Sequence, residues 1–218
     1  YLQRAHPTTL AHYVLTFVQP MGRDLDRLQS AYNRTNKSPA GAGSTNGSRL
    51  PIDRERLAEL LGFNGLVLHT RDAMWQSDGP IELMSAALAV LCNVDHLTED
   101  LQIWATSEFN FVELSDSHSR SSVIMPQKKN PYSLTFVRGV AREMIGRLAG
   151  TAALQSTPSG QVDNRIFTYS MVPKGLMQTK LALKLLSATV SGLTVNKDEM
   201  SLATVKSLGG STDLAEEI

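Results

Sequence analysis

The sequence predicts an all-α protein built as a bundle of long helices, and three observations support this fold class. Apolar residues recur at three- and four-residue steps along several long segments, which is typical of helices with one buried face. No segment alternates strictly between apolar and polar residues as a half-buried strand does, and no internal repeat is evident. Loops rich in Ser, Gly, Asn and Pro separate the periodic segments, so long helices joined by polar loops are expected.

Prolines and capping residues predict where the first helices begin and end. The first periodic segment, residues 7–33, opens on a proline, which a first helical turn tolerates. Pro20 lies inside this segment and predicts a kink or a break. Residues 37–50 are expected to form a loop. Asp53 is then expected to cap a short helix that ends at Gly62.

The longest periodic segment covers residues 70–109, and Pro80 predicts that its helix starts afresh or bends there. Beyond this proline the apolar residues recur at the spacing of a packed bundle helix. They are Ile81, Met84, Leu88, Leu91, Val94, Leu97, Leu101 and Trp104.

Two more long helices are predicted after a polar loop. The first, over residues 131–154, should open at Pro131, and the second, over residues 174–193, should begin at Pro173. The residues expected to face inward are Leu134, Val137, Ala141, Ile145 and Leu148 in the first helix, and Leu176, Leu181, Leu185 and Leu186 in the second.

The predicted organisation is a central helical bundle domain followed by the start of a smaller one. We expect the bundle domain over residues 1–195, with a functional loop at residues 113–130, and a small helical C-terminal domain from residue 196 to residue 218. The chain opens on a tyrosine in the middle of a pattern. We therefore expect further residues on both sides of it.

Composition excludes several classes of function. Lys and Arg together number 21, as do Asp and Glu, so the formal net charge is zero, and no basic field favours nucleic acid or an anionic membrane. No run of roughly 18 apolar residues is present. The single cysteine, Cys92, is expected to be a small buried hydrophobic residue and suits a reducing, cytoplasmic compartment. No cluster of ligands predicts a metal, and no cofactor is expected.

One segment, residues 120–131, stands out as a candidate site because it collects hydroxyls, an amide and two lysines ahead of a helix. It reads RSSVIMPQKKNP and feeds a helix whose first residue is expected to be Pro131. The N–H groups and the positive dipole end of such a helix favour an anion. The alternative is a solvated linker whose lysines face water.

Residues 122–131 resemble the signature loop of the aspartase/fumarase superfamily, and the flanking residues narrow the resemblance to argininosuccinate lyases. The opening residues 1–7, YLQRAHP, are similar to a segment of those enzymes, and the pairs at residues 53–54 and 108–109 and the triplet at residues 114–116 follow in the same order. The resemblance implies a cytoplasmic homotetramer of arginine biosynthesis, with active sites shared between subunits. It also implies release of fumarate from an N-succinyl compound.

The resemblance assigns roles within the loop. Ser122 stands where the family has its catalytic base, and Lys128 and Asn130 match residues that hold the carboxylate of a small dicarboxylate substrate. Their loop neighbours Ser121, Met125 and Gln127 are expected to contact the substrate. Val123 replaces a second serine that many relatives carry.

Two positions depart from the family pattern together. Tyr1 stands where the family has a histidine, and Thr135 where it has a glutamate that pairs with that histidine. The leaving nitrogen is then protonated by Tyr1, by water, or not before cleavage. The alternative is a catalytically silent structural protein of the lyase fold, as the δ-crystallins are.

The residues expected to hold the leaving amine also depart from the pattern. Alignment places Gln161, Ile166 and Tyr169 where argininosuccinate lyases have a tyrosine, a glutamine and a lysine. We take Gln161, Arg165 and Tyr169 as candidates for amine-side contacts. The alternative substrates are another N-succinyl amino acid or an aminopolycarboxylate such as ethylenediamine disuccinate. A cycloisomerising relative is ranked last, because such relatives tend to lose the loop serine.

Overall fold

The computed structural model describes residues 2–3, 5–156, 163–206 and 215. Over these residues it confirms the all-α class, with eight α-helices and four strands of two residues each. The helices are α1 Leu10–Leu15, α2 Val18–Thr35, α3 Arg54–Leu60, α4 Thr70–Trp75, α5 Asp78–Trp104, α6 Tyr132–Ala153, α7 Thr168–Ser191 and α8 Lys197–Val205. The strands are β1 Val112–Glu113, β2 Arg120–Ser121, β3 Lys129–Asn130 and β4 Thr194–Val195.

Proline placement accounts for the two helix breaks of the first half. Pro20 and Pro80 were expected to mark the breaks, and each occupies the third position of a new helix, α2 and α5. The chain therefore breaks a few residues before each proline, because a first turn needs no N–H donor at that position. Helix α1 begins at Leu10 and is capped by Thr9, whose hydroxyl accepts from the N–H of His12. It therefore starts later than the opening proline predicts.

The chain forms two compact units, and each of the three longest helices contributes to both. Unit 1 contains Tyr1–Pro20, Asn93–Gly139 and Leu181–Ile218, and unit 2 contains Met21–Cys92 and Val140–Lys180. The domain boundary expected at residue 195 stays a prediction.

Unit 1 has an apolar core around the last part of α5 and the first turns of α6. Its buried members include Val94, Leu97, Leu101, Leu114, Leu134, Val137 and Leu186. Strands β1 and β4 pair antiparallel, with Val112 opposite Val195 and Glu113 opposite Thr194. The hydroxyl of Thr189 in α7 donates to that of Ser133 in α6 at 3.0 Å, which satisfies two buried polar groups.

Unit 2 packs its helices closely through small residues. Gly175 in α7 lies against Met84 of α5 and Met144 of α6, since a Cβ added there would meet the Met84 Cε at 2.8 Å and the Met144 Cε at 3.3 Å. Both methionines are fully buried. A glycine at this point lets three helices meet with thioether side chains filling the space between them.

The start of α7 and two of the inward-facing assignments were wrong. Helix α7 begins at Thr168, so Pro173 lies inside it instead of opening it. Ile145 is 55% exposed and Leu181 is 53% exposed. On α6 the neighbouring Met144 is buried in place of Ile145, because a straight helix turns its apolar stripe gradually away from a fixed three-and-four count.

Two further expectations about buried and apolar segments are corrected. Cys92 is exposed, because it lies on the outward side of α5 in this chain. Helix α5 is also long and apolar enough by composition to cross a membrane, with mean hydropathy 1.3 over an 18-residue window, of which 44% is buried inside the protein. One such helix is weak evidence for a membrane span, because the core helix of a water-soluble protein meets the same criterion.

Candidate active site

The signature segment folds as a small β-hairpin in unit 1. Strands β2 and β3 pair antiparallel, with Arg120 opposite Asn130 and Ser121 opposite Lys129. The N–H of Ser122 donates to the carbonyl of Lys128 at 3.3 Å, which extends the ladder by one step. The hairpin was expected as an irregular loop, since two-residue strands are too short to give an alternating pattern.

The ladder brings the three predicted catalytic residues of the loop into one short stretch of backbone. Ser122 and Lys128 face each other across its last hydrogen bond, and Asn130 follows two residues later at the entrance of α6. Ser122 is half-buried and Lys128 is exposed. At the tip, Val123 is 95% exposed, so the missing second serine is replaced by an apolar side chain directed into solvent.

The two adjacent lysines of the hairpin have different surroundings. The Lys129 ammonium lies 2.9 Å from a carboxylate oxygen of Glu113 and 2.8 Å from one of Asp116. The Lys129 ammonium donates to Asp116 and to Glu113, and these hydrogen bonds, the first more than the second, raise the pKa of Lys129; the one that Asp116 accepts lowers the pKa of Asp116. The Lys128 ammonium has no hydrogen-bond or ion-pair partner among the residues that the structure describes. Its charge is therefore available to an external anion.

Asn130 joins the hairpin to the following helix. Its side-chain amide donates to the carbonyl of Arg120 at 3.0 Å, so one amide hydrogen is used within the hairpin and the other remains for a ligand. Pro131 separates it from α6, which begins at Tyr132. The first turn of α6 has no acidic side chain. The N–H groups of that turn therefore keep their partial positive charge uncompensated from within the turn.

Thr135, which replaces the family's glutamate, takes part in a hydrogen-bonded network along α5 and α6. Its hydroxyl donates to the carbonyl of Pro131 at 3.2 Å and accepts from the Gln102 amide at 3.3 Å. The Gln102 carbonyl oxygen accepts from Arg138 at 2.9 Å, and Arg138 also pairs with Glu99 at 2.6 Å. Since the hydroxyl proton is donated to a backbone carbonyl, Thr135 stabilises the first turn of α6 here.

Unit 1 also contains a cavity of about 530 Å³ beside the N-terminal segment. Its wall includes four aromatic side chains, those of Tyr13, Trp104, Phe109 and Phe111. The Tyr13 hydroxyl donates to Asp100 at 2.5 Å, and burial, with that hydrogen bond, raises its pKa above the ordinary value of 10.0. The signature hairpin contributes no residue to this cavity.

The remaining predicted site residues lie outside the hairpin segment, residues 120–130. Tyr1 and Gln161 lie outside the described residues. Arg165 and Tyr169 belong to unit 2, whereas the hairpin belongs to unit 1. Arg165 donates to the carbonyl of Ala73 at 3.4 Å, and Tyr169 is 62% exposed.

Sequence reasoning did not assign a role to Glu113 and Asp116, the two carboxylates that hold Lys129. Asp116 lies in a residue triplet that carries the family resemblance, and this was the available signal. Elsewhere in the described part of the chain, no three His, Cys, Asp or Glu side chains come together as metal ligands.

The sequence comparison places the chain in a family. A profile of the family described as "Lyase" matches residues 1–146, more than half of the chain. The chain therefore belongs to this lyase family. Among the members of this family, the chain resembles argininosuccinate lyases.

Individual relatives support this placement. The chain is 34% identical over 217 residues to argininosuccinate lyase of Methanococcoides burtonii, an alignment that covers 99% of the chain and 44% of the relative. EDDS lyase in complex with formate has 31% identity and a TM-score of 0.90, and class II fumarase from Schistosoma mansoni shares the fold at 17% identity and a TM-score of 0.80. The chain spans about half the length of the curated relatives it matches.

Proposed function

We propose that the protein is a carbon–nitrogen lyase that releases fumarate by β-elimination, with argininosuccinate as substrate and arginine as the second product. The observation that carries the proposal is the pairing of Ser122 with Lys128, an ammonium that no described residue engages, directly ahead of α6. Argininosuccinate lyases among the relatives align with nearly the whole chain. They support this substrate above others.

The first chemical step explains why this site needs positive charge. Ser122, as its alkoxide, removes a proton from the carbon next to a substrate carboxylate, and that carboxylate becomes an aci-carboxylate with two negative charges. The barrier to such a step is governed by how well the dianion is stabilised. A nearby cation also lowers the pKa of a hydroxyl nucleophile or base, so Lys128 serves both needs.

The other hairpin residues complete the proposed anion site. The second amide hydrogen of Asn130 and the N–H groups at the start of α6 donate to the same carboxylate. Ser121, Met125 and Gln127 line the substrate on the hairpin side. Collapse of the aci-carboxylate then breaks the carbon–nitrogen bond, its electron pair leaves on nitrogen, and fumarate forms.

The leaving amine is the less defined half of the substrate. We assign Gln161, Arg165 and Tyr169 to its recognition, and the proton that the nitrogen gains to Tyr1 or to water. Thr135 is not a candidate for this proton, because its hydroxyl already donates to the Pro131 carbonyl. Arg165 is partly engaged by the backbone of α4, which suits a residue with a fixed orientation.

Assembly and location follow from the proposed activity. We propose a cytoplasmic homotetramer in which each active site collects segments of several subunits, with no membrane or nucleic-acid partner. Large exposed apolar side chains on the long helices, such as Phe136, Ile145, Met177 and Leu181, support burial against other copies.

A second substrate class has its own support. EDDS lyase matches 99% of this chain with 31% identity, and the residues at 161, 166 and 169 differ from those of argininosuccinate lyases. An N-succinyl amino acid or an aminopolycarboxylate such as ethylenediamine disuccinate is therefore the alternative substrate for the same chemistry.

A substrate screen tests the proposal. The protein, in the form its gene encodes, is incubated with argininosuccinate, ethylenediamine disuccinate and other N-succinyl amino acids, and fumarate is followed by its ultraviolet absorbance. Turnover of argininosuccinate supports the main proposal, and preference for another compound moves it to the alternative. If a well-folded tetramer turns over none of them, the catalytically silent, crystallin-like function replaces the enzyme.

A further inference from the structure

We infer that Lys129 is a positioning residue, which holds the strand between Lys128 and Asn130 in place through its ion pairs with Glu113 and Asp116. The inference rests on the proposed lyase function and concerns a residue that this function does not otherwise use. Lys129 itself does not contact the substrate in this arrangement, because both of its short contacts go to carboxylates of the protein.

The two carboxylates are carried by backbone segments that local structure holds in place. Glu113 lies in β1, where it pairs with Thr194 of β4, and the preceding Val112 is 3% exposed. Asp116 begins a 3₁₀ turn, Asp116–His118, and its carbonyl accepts from the N–H of Ser119. Lys129 is therefore held by two groups whose backbones are anchored before the hairpin begins.

The hairpin passes this constraint to the reacting residues. Lys129 pairs with Ser121 across the β2–β3 ladder, so a shift of β3 also shifts the residue before Ser122. Lys128 and Asn130 are its direct chain neighbours on either side. A displacement of about 1 Å at a reacting group can cost a large part of the rate, so a small movement of β3 is sufficient to affect catalysis.

We call the two ion pairs of Lys129 with Glu113 and Asp116 the tether. Their geometry restrains the hairpin more than a single surface ion pair would. A single exposed pair restricts its lysine weakly, because both side chains can rotate in solvent. Here one ammonium lies within 2.9 Å of two carboxylates from different short elements. The raised pKa of Lys129 and the lowered pKa of Asp116 agree with this shared contact.

The rival explanation is that Lys129 acts as a positive charge on the substrate anion. Two variants separate the explanations, since both remove the ion pairs of Lys129 but they change the net charge of the protein in opposite directions. Lys129→Met removes one positive charge, whereas the double variant Glu113→Gln with Asp116→Asn removes two negative charges. A tether predicts that both variants lose activity. Direct electrostatics predicts that Lys129→Met loses activity and the double variant does not.

The experiment measures kcat, KM and hydrogen–deuterium exchange of residues 120–130 in the protein as its gene encodes it. We expect kcat to fall about tenfold in both variants with KM nearly unchanged, since the constraint orients groups that act in the transition state. Exchange at the hairpin should be faster in both. Lys129→Arg, which keeps the charge and the donors, should restore most of kcat, and Lys197→Met, at an exposed lysine of α8, should match the parent protein.

Each outcome of the experiment supports or overturns either the positioning role of Lys129 or the proposed function. Opposite effects of the two variants on kcat overturn the inference in favour of direct electrostatics, and an unchanged kcat in either variant overturns it whatever the exchange shows. If the parent protein releases no fumarate from any tested compound, the proposed function fails. Hydrogen–deuterium exchange then tests by itself whether Lys129 holds the hairpin in place, and unchanged exchange in both variants overturns the inference.

Discussion

Two polar loops, residues 37–50 in unit 2 and residues 113–130 in unit 1, are stabilised in different ways. Beside the first loop, the guanidinium of Arg54 in α3 donates to the carbonyls of Ala40, Val67 and Leu68 at 2.9–3.1 Å. Lys37 likewise donates to the carbonyl of Asn64 at 3.0 Å. Both cations are directed at backbone carbonyls of the loop or of residues 64–68, which makes them structural.

The second loop is anchored at its base. The β2–β3 ladder and the Lys129 ion pairs hold that base, and the tip exposes Val123 and Ile124 to 95% and 84%. Lys128 points at no described backbone or carboxylate group. The comparison teaches that the group at which each cation is directed distinguishes a structural loop from a candidate catalytic one.

The largest expected effect is that of Ser122→Ala. Removing the proposed base should lower kcat by about 10²–10⁴, the range for loss of general acid–base catalysis. The measurement is fumarate release, together with the oligomeric state by light scattering. Assembly should be unchanged, because the Ser122 hydroxyl makes no described structural hydrogen bond. Retained turnover would assign the base to another residue.

Lys128→Met should lower kcat by about 10²–10³, as loss of a donor to a developing oxyanion does. The matched control is Lys129→Met in the adjacent position, for which a smaller loss, about tenfold, is expected. Steady-state kinetics on the two variants test whether Lys128 binds the substrate while Lys129 positions the hairpin. An equal loss in both would contradict the distinction between a substrate-binding and a positioning lysine.

Arg54→Met tests whether the hydrogen bonds from Arg54 to three backbone carbonyls stabilise the fold. Three backbone carbonyls lose a charged donor, so the free energy of unfolding should fall by about 2 kcal/mol. Urea denaturation of this variant is compared with Arg56→Met, whose exposed pair with Glu59 should contribute less than about 0.5 kcal/mol. Similar losses in both variants would show that the three carbonyl contacts of Arg54 add nothing to stability.

The smallest expected effect is that of pH on the tether. The pKa of Asp116 is lowered from 3.8, so its contribution is present above that value and is lost as pH falls through the folded-state pKa. The pKa of Lys129 is raised from 10.5, so its contribution is lost only as pH rises through the folded-state pKa. Hydrogen exchange at the hairpin, corrected for its intrinsic pH dependence, should be constant between about pH 5 and pH 9. A change within this range would identify a different titrating group.

Local chemistry made much of the fold predictable from sequence. Asp53 caps α3, and Gly62 follows it with φ +78°, as the capping pattern requires. Pro131 directly precedes α6. Pro173 misled the prediction, because the 3₁₀ turn at Asp163–Phe167 leads into α7 before the proline is reached. A residue that often opens helices was tolerated inside one.

The candidate site was predictable in its members but not in its internal contacts. Ser122, Lys128 and Asn130 could be named from the motif, since their order along the chain carries the resemblance. The different environments of Lys128 and Lys129 could not, because they depend on where residues 113–116 lie after β1 pairs with β4. Contacts between residues that are far apart in sequence decide which of two identical side chains is engaged.

The absence of an acidic side chain from the first turn of α6 has a consequence for inhibition. Small multivalent oxyanions such as sulfate or phosphate meet no internal competitor at that helix end, and they offer the same charge as the proposed dianion. They are therefore expected to act as competitive inhibitors, and monovalent salt should lower their affinity by screening the charges. The choice of buffer then becomes part of every assay of this protein.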